Sequence, residues 1–155
     1  MFREMRLKEC ELPEGEAVEI LVKNSYGVLA LDGDGGYTYA VPVNYAYEDN
    51  KIYFHGAIEG HKFDSVANND KVSFCVVDRG EVIAEEFNTL YRSAIIFGKI
   101  CILEDDNERS AGLEALIRRF SPDYMEKGKA SIEKEWNVVA VFKIDVERLT
   151  AKKGI

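Results

Sequence analysis

The chain has 155 residues, of which 46% are hydrophobic, so it can bury the core of one domain without disulfides or structural metals. We therefore expect a single domain over residues 1–155. With 28 acidic and 20 basic side chains, the net charge of -8 disfavours non-specific binding to nucleic acid or to an anionic membrane. The chain starts without the pattern of a secretory signal, and no apolar run approaches the roughly 18 residues of a membrane span, which predicts a cytoplasmic protein.

Hydrophobic periodicity predicts a chain dominated by strands, with helices inserted between them. The most regular strand covers residues 37–47, where aromatic or branched apolar side chains alternate with small or polar ones. The polar stretch 78–88 is expected to lie outside the strands. The predicted elements, in chain order, are a helix from Pro13 to near Asn24, strands at 26–31, 37–47 and 51–55, a short helix after Gly60, strands at 71–77 and about 89–103, a helix at about 106–120, a helical region from Pro122, and a strand at 137–146.

This order of elements favours a closed or nearly closed antiparallel barrel over a parallel α/β sheet, because the helices do not alternate with the strands. Asp105 or Asp106 is expected to cap the long helix that follows. Residues 127–129 are expected to be mobile.

The cysteines and histidines do not predict a metal site. Cys10, Cys75 and Cys101 form no C-x-x-C pair, and Cys75 and Cys101 lie in apolar runs that are typical of reduced core residues. His55 and His61, the two histidines, have no cysteine or carboxylate pair at metal-ligand spacing. We therefore expect no bound metal.

Pro42 lies inside the most regular strand, where a missing N–H is tolerated mainly at a sheet edge or a bulge. Such an edge would leave free backbone amides and carbonyls beside Val41, Val43 and Asn44. This surface suits a flavin, because the isoalloxazine ring has a hydrogen-bonding, uracil-like edge and flat apolar faces. Taken alone, the residue is better explained as an ordinary edge-strand proline.

A second feature is the junction between a strand and a helix that extends from His55 to Lys62. Gly56 ends the strand and Gly60 precedes the helix, so backbone amides, the helix dipole and Lys62 could together hold a phosphate. Turn geometry alone accounts for the glycines, but a lysine in the first helical turn is unfavourable unless an anion offsets it. His61 is the better phosphate partner, whereas His55 is equally explained as a hydrogen-bonded structural residue.

These two features belong to a longer series of segments, namely Gly27–Ala30, Tyr39–Tyr45, Ile52–Ala57, Gly60–Lys62, Asn69–Phe74 and Tyr91–Lys99. Together the segments resemble the nitroimidazole-resistance (Nim) branch of the pyridoxamine 5'-phosphate oxidase-like flavoproteins. The similarity covers nearly the whole chain, and its most specific part is the H-G-A-x-x-G-x-K pattern that starts at His55.

The resemblance implies a mainly β fold, a six-stranded antiparallel Greek-key split barrel with added helices, which forms a homodimer and binds FMN between the subunits. The FMN ring is implied to lie along residues 41–44, and the phosphate or ribityl chain near His61, Lys62 and Ser93. Lys152 is implied to reach the FMN of the partner subunit. The implied cofactor-binding residues are Val41, Pro42, Val43, Asn44, Phe54, His55, Gly56, Gly60, His61, Lys62, Ser93 and Lys152.

One position departs from this family, because many relatives carry arginine where this chain has His61. A histidine is only partly charged near neutral pH, which predicts weaker and pH-dependent phosphate binding.

The resemblance implies a flavin-dependent reductase or oxidase of a small molecule. Hydride transfer takes place at the flavin itself and requires no catalytic acid or base, so no catalytic residue is predicted. In Nim-like relatives the implied reaction is reduction of a nitro group, with NAD(P)H as a candidate donor and His55 close to the reactive ring face. Pyridoxamine phosphate oxidation is less favoured, because no arginine-rich second phosphate site is present. A non-catalytic flavin store or sensor is the alternative, and fold analogy does not separate the two classes.

Overall fold

The computed structural model describes residues 1–154, so Ile155, the last residue of the predicted domain, lies outside the described part of the chain. None of the helices in this part has the length and apolar character needed to cross a membrane. The helices and strands, in chain order, are α1 (Glu14–Lys23), β1 (Tyr26–Asp32), β2 (Thr38–Asn44), β3 (Ala46–Glu48), β4 (Lys51–Ala57), α2 (His61–Asn68), β5 (Lys71–Ile83), β6 (Asn88–Ile102), α3 (Asp106–Phe120), α4 (Met125–Glu135) and β7 (Val139–Lys153).

The strands form one antiparallel sheet in the order β2-β1-β5-β6-β7-β4-β3. The expected mainly β, antiparallel architecture with added helices is confirmed, but the expectation of a six-stranded split barrel, closed or nearly closed, is wrong in its number of strands and in its closure. The hydrogen-bonded ladder has seven strands and is open, with β2 and β3 at its two ends. Because only Tyr45 joins these end strands, the sheet must curl until its ends lie close together.

The seventh strand arises because residues 37–47 do not form one continuous strand. The chain before Tyr45 pairs with β1, whereas the chain after it pairs with β4. Tyr45 itself is fully buried, its ring packs edge-on against Phe74 (5.0 Å between centroids), and its hydroxyl donates to the carbonyl oxygen of Leu21 (2.6 Å). A buried phenol needs such an acceptor. Tyr45 therefore fixes α1 against the sheet at the point where the strand changes partner.

Several local predictions are confirmed. Helix α1 begins after Pro13 and ends before Asn24, as the helical spacing indicates. Helix α3 is capped by Asp105, whose carboxylate accepts from the Glu108 amide (3.0 Å). Residues 127–129, which are expected to be mobile, instead lie inside α4, where Gly128 packs so closely on Ile117 of α3 that a Cβ would lie 2.6 Å from its Cδ1 atom.

The prediction for the polar stretch 78–88 is wrong. After a bulge that follows Val77, residues 79–83 of β5 pair with residues 88–92 of β6, and the two strands continue as a projecting ribbon. Both faces of a ribbon outside the main sheet are exposed to water, so this part of the strand carries charged side chains and lacks the alternating apolar pattern that predicts a strand.

The core has two parts, which lie on opposite faces of β4 and β7. The larger part lies within the curl of the sheet and includes Phe54, Phe74 and Phe142. The smaller part lies under α3 and includes Leu116 and Val141. Both faces of β4 are therefore covered by protein, and successive side chains of this strand enter different environments.

Candidate functional site

Strand β2 is an edge strand, and among residues 1–154 it pairs only with β1. Along an antiparallel ladder, hydrogen-bonded residue pairs alternate with non-bonded pairs. The bonds at the two ends of the β1–β2 ladder run from the Gly33 amide to the Tyr37 carbonyl (2.8 Å) and from the Tyr45 amide to the Ser25 carbonyl (3.4 Å). Because bonded pairs recur at every second residue from Tyr37 to Tyr45, the odd-numbered residues of β2 are the ones that hydrogen-bond to β1.

The even-numbered residues of β2 therefore direct their backbone groups to the open edge. Pro42 loses no ladder bond there, since its nitrogen faces away from β1. Free backbone groups belong to Ala40, Pro42 and Asn44, whereas Val41 and Val43 bond to β1 and turn half-buried side chains toward the core. The side-chain amide of Asn44 donates to the backbone carbonyl before β1 (2.9 Å). An exposed hydrogen-bonding edge thus exists where the sequence predicts it, shifted by one residue.

Lys62 is half-buried and has no hydrogen-bond or ion-pair partner within residues 1–154. Its Nζ atom lies 6.0 Å from the ring centroid of Phe54 and 5.9 Å from that of Phe142. The two rings are stacked, with centroids 4.7 Å apart. A Cβ at Gly56 would lie 3.3 Å from both Cε and Nζ of Lys62, so the glycine makes room for the ammonium group. A partly desolvated cation without a counter-charge is a candidate anion site.

The start of α2 adds to this positive region. Gly60, at φ +108°, precedes the helix in a conformation that favours glycine, and its carbonyl accepts from the Asp64 amide (3.0 Å). Among the side chains of residues 1–154, none caps the helix start with a hydrogen bond. Free first-turn amides and the positive end of the helix dipole therefore lie beside Lys62.

His61 is oriented differently from its neighbour. Its ring stacks on Tyr39 (4.1 Å between centroids), and its Nε2 atom accepts from the Asp34 amide (3.3 Å). The Asp34 carboxylate lies 3.8 Å from the same nitrogen. His61 thus contacts the β1–β2 hairpin, whereas Lys62 contacts β4 and β7, so the structure does not turn the two side chains toward one point.

His55 lies on the opposite face of β4 from Phe54 and Gly56. It forms part of the wall of a cavity of about 660 Å³ between β4, β7, α3 and α4. Although the imidazole is exposed at the surface, the surrounding protein displaces much of its water, and this desolvation and the charge of Lys62 lower the pKa of His55. His55 is therefore mainly neutral at neutral pH.

Ser93 and Lys152 are cross-strand neighbours on the outer face of the sheet. They line a small cavity of about 170 Å³ together with Met5 and Thr150. Gly56, in contrast, pairs near the other end of β7. The structure therefore does not bring Ser93 and Lys152 to Lys62 within one chain.

Two features of this region are absent from the sequence predictions. Phe142 packs beneath Lys62, but its position in a nearly continuous apolar strand gives no signal beyond burial. The cavity beside His55 is walled by apolar side chains of α3 and α4, including Leu116 and Phe120. An amphipathic pattern predicts such helices but not the space that they leave.

Comparison with known proteins identifies the fold. The family model described as pyridoxamine 5'-phosphate oxidase matches residues 13–153. No curated protein sequence matches the chain.

Solved structures give the same result. A candidate 5-nitroimidazole antibiotic resistance protein from Bacteroides thetaiotaomicron VPI-5482 is 22% identical, with 93% of this chain and 86% of that chain covered and a TM-score of 0.76. An FAD-binding protein from Mesorhizobium loti is 23% identical over 94% and 96% of the two chains, with a TM-score of 0.67. An FAD- and haem-binding protein from Mycobacterium smegmatis is 22% identical over 92% and 71%, with a TM-score of 0.79. At these identities the likeness establishes the fold alone.

Proposed function

This chain belongs to the pyridoxamine 5'-phosphate oxidase family, and we propose that it is a flavoprotein that binds FMN and uses it to reduce a small oxidised molecule. The observation that carries the proposal is Lys62, a half-buried cation without a partner in the described chain, located beside an uncapped helix start. A terminal phosphate supplies the missing negative charge and accepts the free amides. FMN ends in such a phosphate.

The flavin ring is assigned to the open edge of β2. The free carbonyls of Ala40, Pro42 and Asn44, with the amides of Ala40 and Asn44, offer the alternating acceptors and donors that a uracil-like edge requires. Bound FMN would supply the hydride chemistry, while this chain holds the phosphate, orients the ring and excludes water. Gly56 leaves room for the Lys62 ammonium group, and a Cβ at Gly60 would meet no atom of the described chain within 4 Å.

The proposed assembly is a homodimer with the flavin between the subunits. The outer face of the sheet carries a row of small or apolar side chains across five neighbouring strands, namely Pro42, Val28, Cys75, Ile95 and Thr150. Val77, on the same face, is 62% exposed, which is unusual for a sheet valine that stays in water. Ser93 and Lys152 also lie on this face, so a second copy would bring them toward the partner's flavin.

The proposed reaction is reduction of a nitro group or a comparable acceptor, with NAD(P)H as the electron donor. It is supported by the likeness to the Bacteroides thetaiotaomicron protein.

The test starts with the visible spectrum of the purified protein. The extracted chromophore is separated by chromatography, which distinguishes FMN from FAD. Under anaerobic conditions, NAD(P)H should bleach the flavin band, and a nitroimidazole should restore it. A colourless protein that does not take up FMN contradicts the proposal, whereas a yellow protein that no donor reduces favours a flavin store or sensor.

A further inference from the structure

Two groups lie on opposite faces of β4, the ammonium of Lys62 from α2 beside Gly56 and the imidazole of His55 at the cavity under α3 and α4. We propose that Lys62 and His55 form one linked unit across β4, in which an anion bound at Lys62 draws a proton onto His55. The inference rests on the proposed function, because the anion concerned is the flavin phosphate. When an anion occupies the phosphate site, His55 on the cavity side of β4 therefore gains a proton.

The geometry brings the two groups within the reach of electrostatic interaction. Gly56 directly follows His55, and the Nζ atom of Lys62 lies 3.3 Å from the position that a Cβ at Gly56 would occupy. The ammonium and the imidazole are thus separated by little more than one strand. The stacked rings of Phe54 and Phe142 lie against the half-buried Lys62, so protein replaces part of the water around its charge and reduces the screening.

The other groups around His55 do not replace this interaction. The cavity is lined by Lys127 and Glu135 from α4, whose charges oppose each other, and by Tyr124. The residue opposite His55 on β7 is the apolar Val141. After desolvation, the one charge that lowers the pKa of His55 is that of Lys62.

The direction of the coupling follows from these charges. With the phosphate site empty, the positive field of Lys62 opposes protonation of His55. A bound dianion reverses that field, so His55 takes up its proton at a higher pH than before. Linkage is reciprocal, so the anion must bind more tightly when His55 is protonated and more weakly as the pH rises through the His55 midpoint.

Proton NMR of the imidazole resonances tests the inference directly, because the chain has 2 histidines. The probe is sulfate, which keeps two negative charges between about pH 5 and about pH 8, where histidine titrates. Sodium chloride matches the ionic strength of the reference sample. The variant His61→Asn leaves a single resonance and assigns His55. Sulfate should raise the His55 titration midpoint, and an unchanged midpoint at saturating sulfate overturns the inference.

Two variants locate the anion. In Lys62→Met, which keeps the aliphatic stem over the phenylalanine rings, the His55 midpoint should be higher without sulfate and should not respond to it. Lys127→Met is the matched control, since it removes a lysine that lines the cavity beside His55, and the response of His55 to sulfate should persist in it. A response lost in Lys127→Met and retained in Lys62→Met overturns the inference.

The binding side of the linkage separates this inference from the flavin proposal. In the His61→Asn background, the sulfate dissociation constant should be at least about twofold larger at the alkaline end of the range. FMN binding that depends on Lys62 without any change at His55 contradicts the linkage and leaves the flavin proposal intact. A sulfate response without any FMN binding supports the linkage and contradicts the flavin proposal.

Discussion

Two half-buried cations of this chain have opposite surroundings. Arg92, where β6 meets α1, pairs with the carboxylates of Asp78 (2.9 Å), Glu16 (3.1 Å) and Glu19 (3.4 Å). Lys62, where β4 meets α2, pairs with no carboxylate in residues 1–154. In a chain with a net charge of -8, acidic partners are abundant, so the isolation of Lys62 is informative. A half-buried cation that is paired with carboxylates is thus structural, whereas one without a carboxylate partner is a candidate ligand-binding group.

The largest expected effect concerns the paired region. Asp78 is 5% exposed in its side chain and accepts from Arg92, Asn24 and Lys23, so Asp78→Ala leaves these donors without their shared acceptor. We expect a loss of about 3 kcal/mol in the free energy of unfolding, measured by urea denaturation. Glu81→Ala, which removes an exposed partner of Arg79, is the control and should change stability by less than about 1 kcal/mol. Equal losses of unfolding free energy in Asp78→Ala and Glu81→Ala would show that the buried network around Asp78 is no more stabilising than an exposed ion pair.

The next effect concerns the unpaired region. Lys62→Met should weaken FMN binding by about 1.5 to 3 kcal/mol, which is roughly tenfold or more, because a charge-assisted phosphate contact is lost. Stability should change little, since the ammonium group has no hydrogen-bond or ion-pair partner within residues 1–154 and methionine keeps an apolar stem over the rings of Phe54 and Phe142. Calorimetric titration with FMN measures the affinity, and Lys134→Met, on the exposed side of α4, serves as the control. Unchanged affinity in Lys62→Met would mean that the phosphate lies elsewhere.

A smaller effect is the pH dependence of the paired region. Burial alone would raise the pKa of Asp78, but hydrogen bonds from Asn24, Arg92 and Lys23 outweigh it, and the net pKa is lowered. The folded-state pKa thus lies below the unfolded value of about 3.9, so this carboxylate stabilises the fold above about pH 4, and the stabilisation is lost as the pH falls through the folded pKa. The stability difference between the wild type and Asp78→Asn should therefore narrow in acid. A difference that stays constant down to about pH 2 would contradict this account.

The smallest expected effect is a steric test at the unpaired region. In Gly56→Ala, the new Cβ would lie 3.3 Å from the flexible end of Lys62 and 3.4 Å from Phe142, so the lysine shifts by a few tenths of an ångström. We expect FMN affinity to fall by less than about 1 kcal/mol, with stability nearly unchanged. Gly15→Ala is the matched control, because nothing lies within 4 Å of its added Cβ. A gain in FMN affinity would contradict the assigned role of Gly56.

The sequence by itself determined the features that depend on neighbouring residues. Helical spacing after Pro13 gives α1, the capping aspartate gives the start of α3, and the missing N–H of Pro42 gives an edge strand. The glycines around Lys62 likewise indicate a close approach of a ligand or side chain to the backbone. These predictions succeed because side-chain periodicity, capping and proline geometry act over only a few residues.

The tertiary structure alone decided which groups meet. Strict alternation over residues 37–47 is compatible with one strand, but burial of Tyr45 against α1 divides it between the two ends of the sheet. Alternation along β4 predicts on which face of the strand His55 lies, but it does not predict the cavity that His55 lines. No local pattern places Phe142 beneath Lys62. These outcomes depend on contacts between residues far apart in the chain, where packing and charge pairing, and not local spacing, set the position of each side chain.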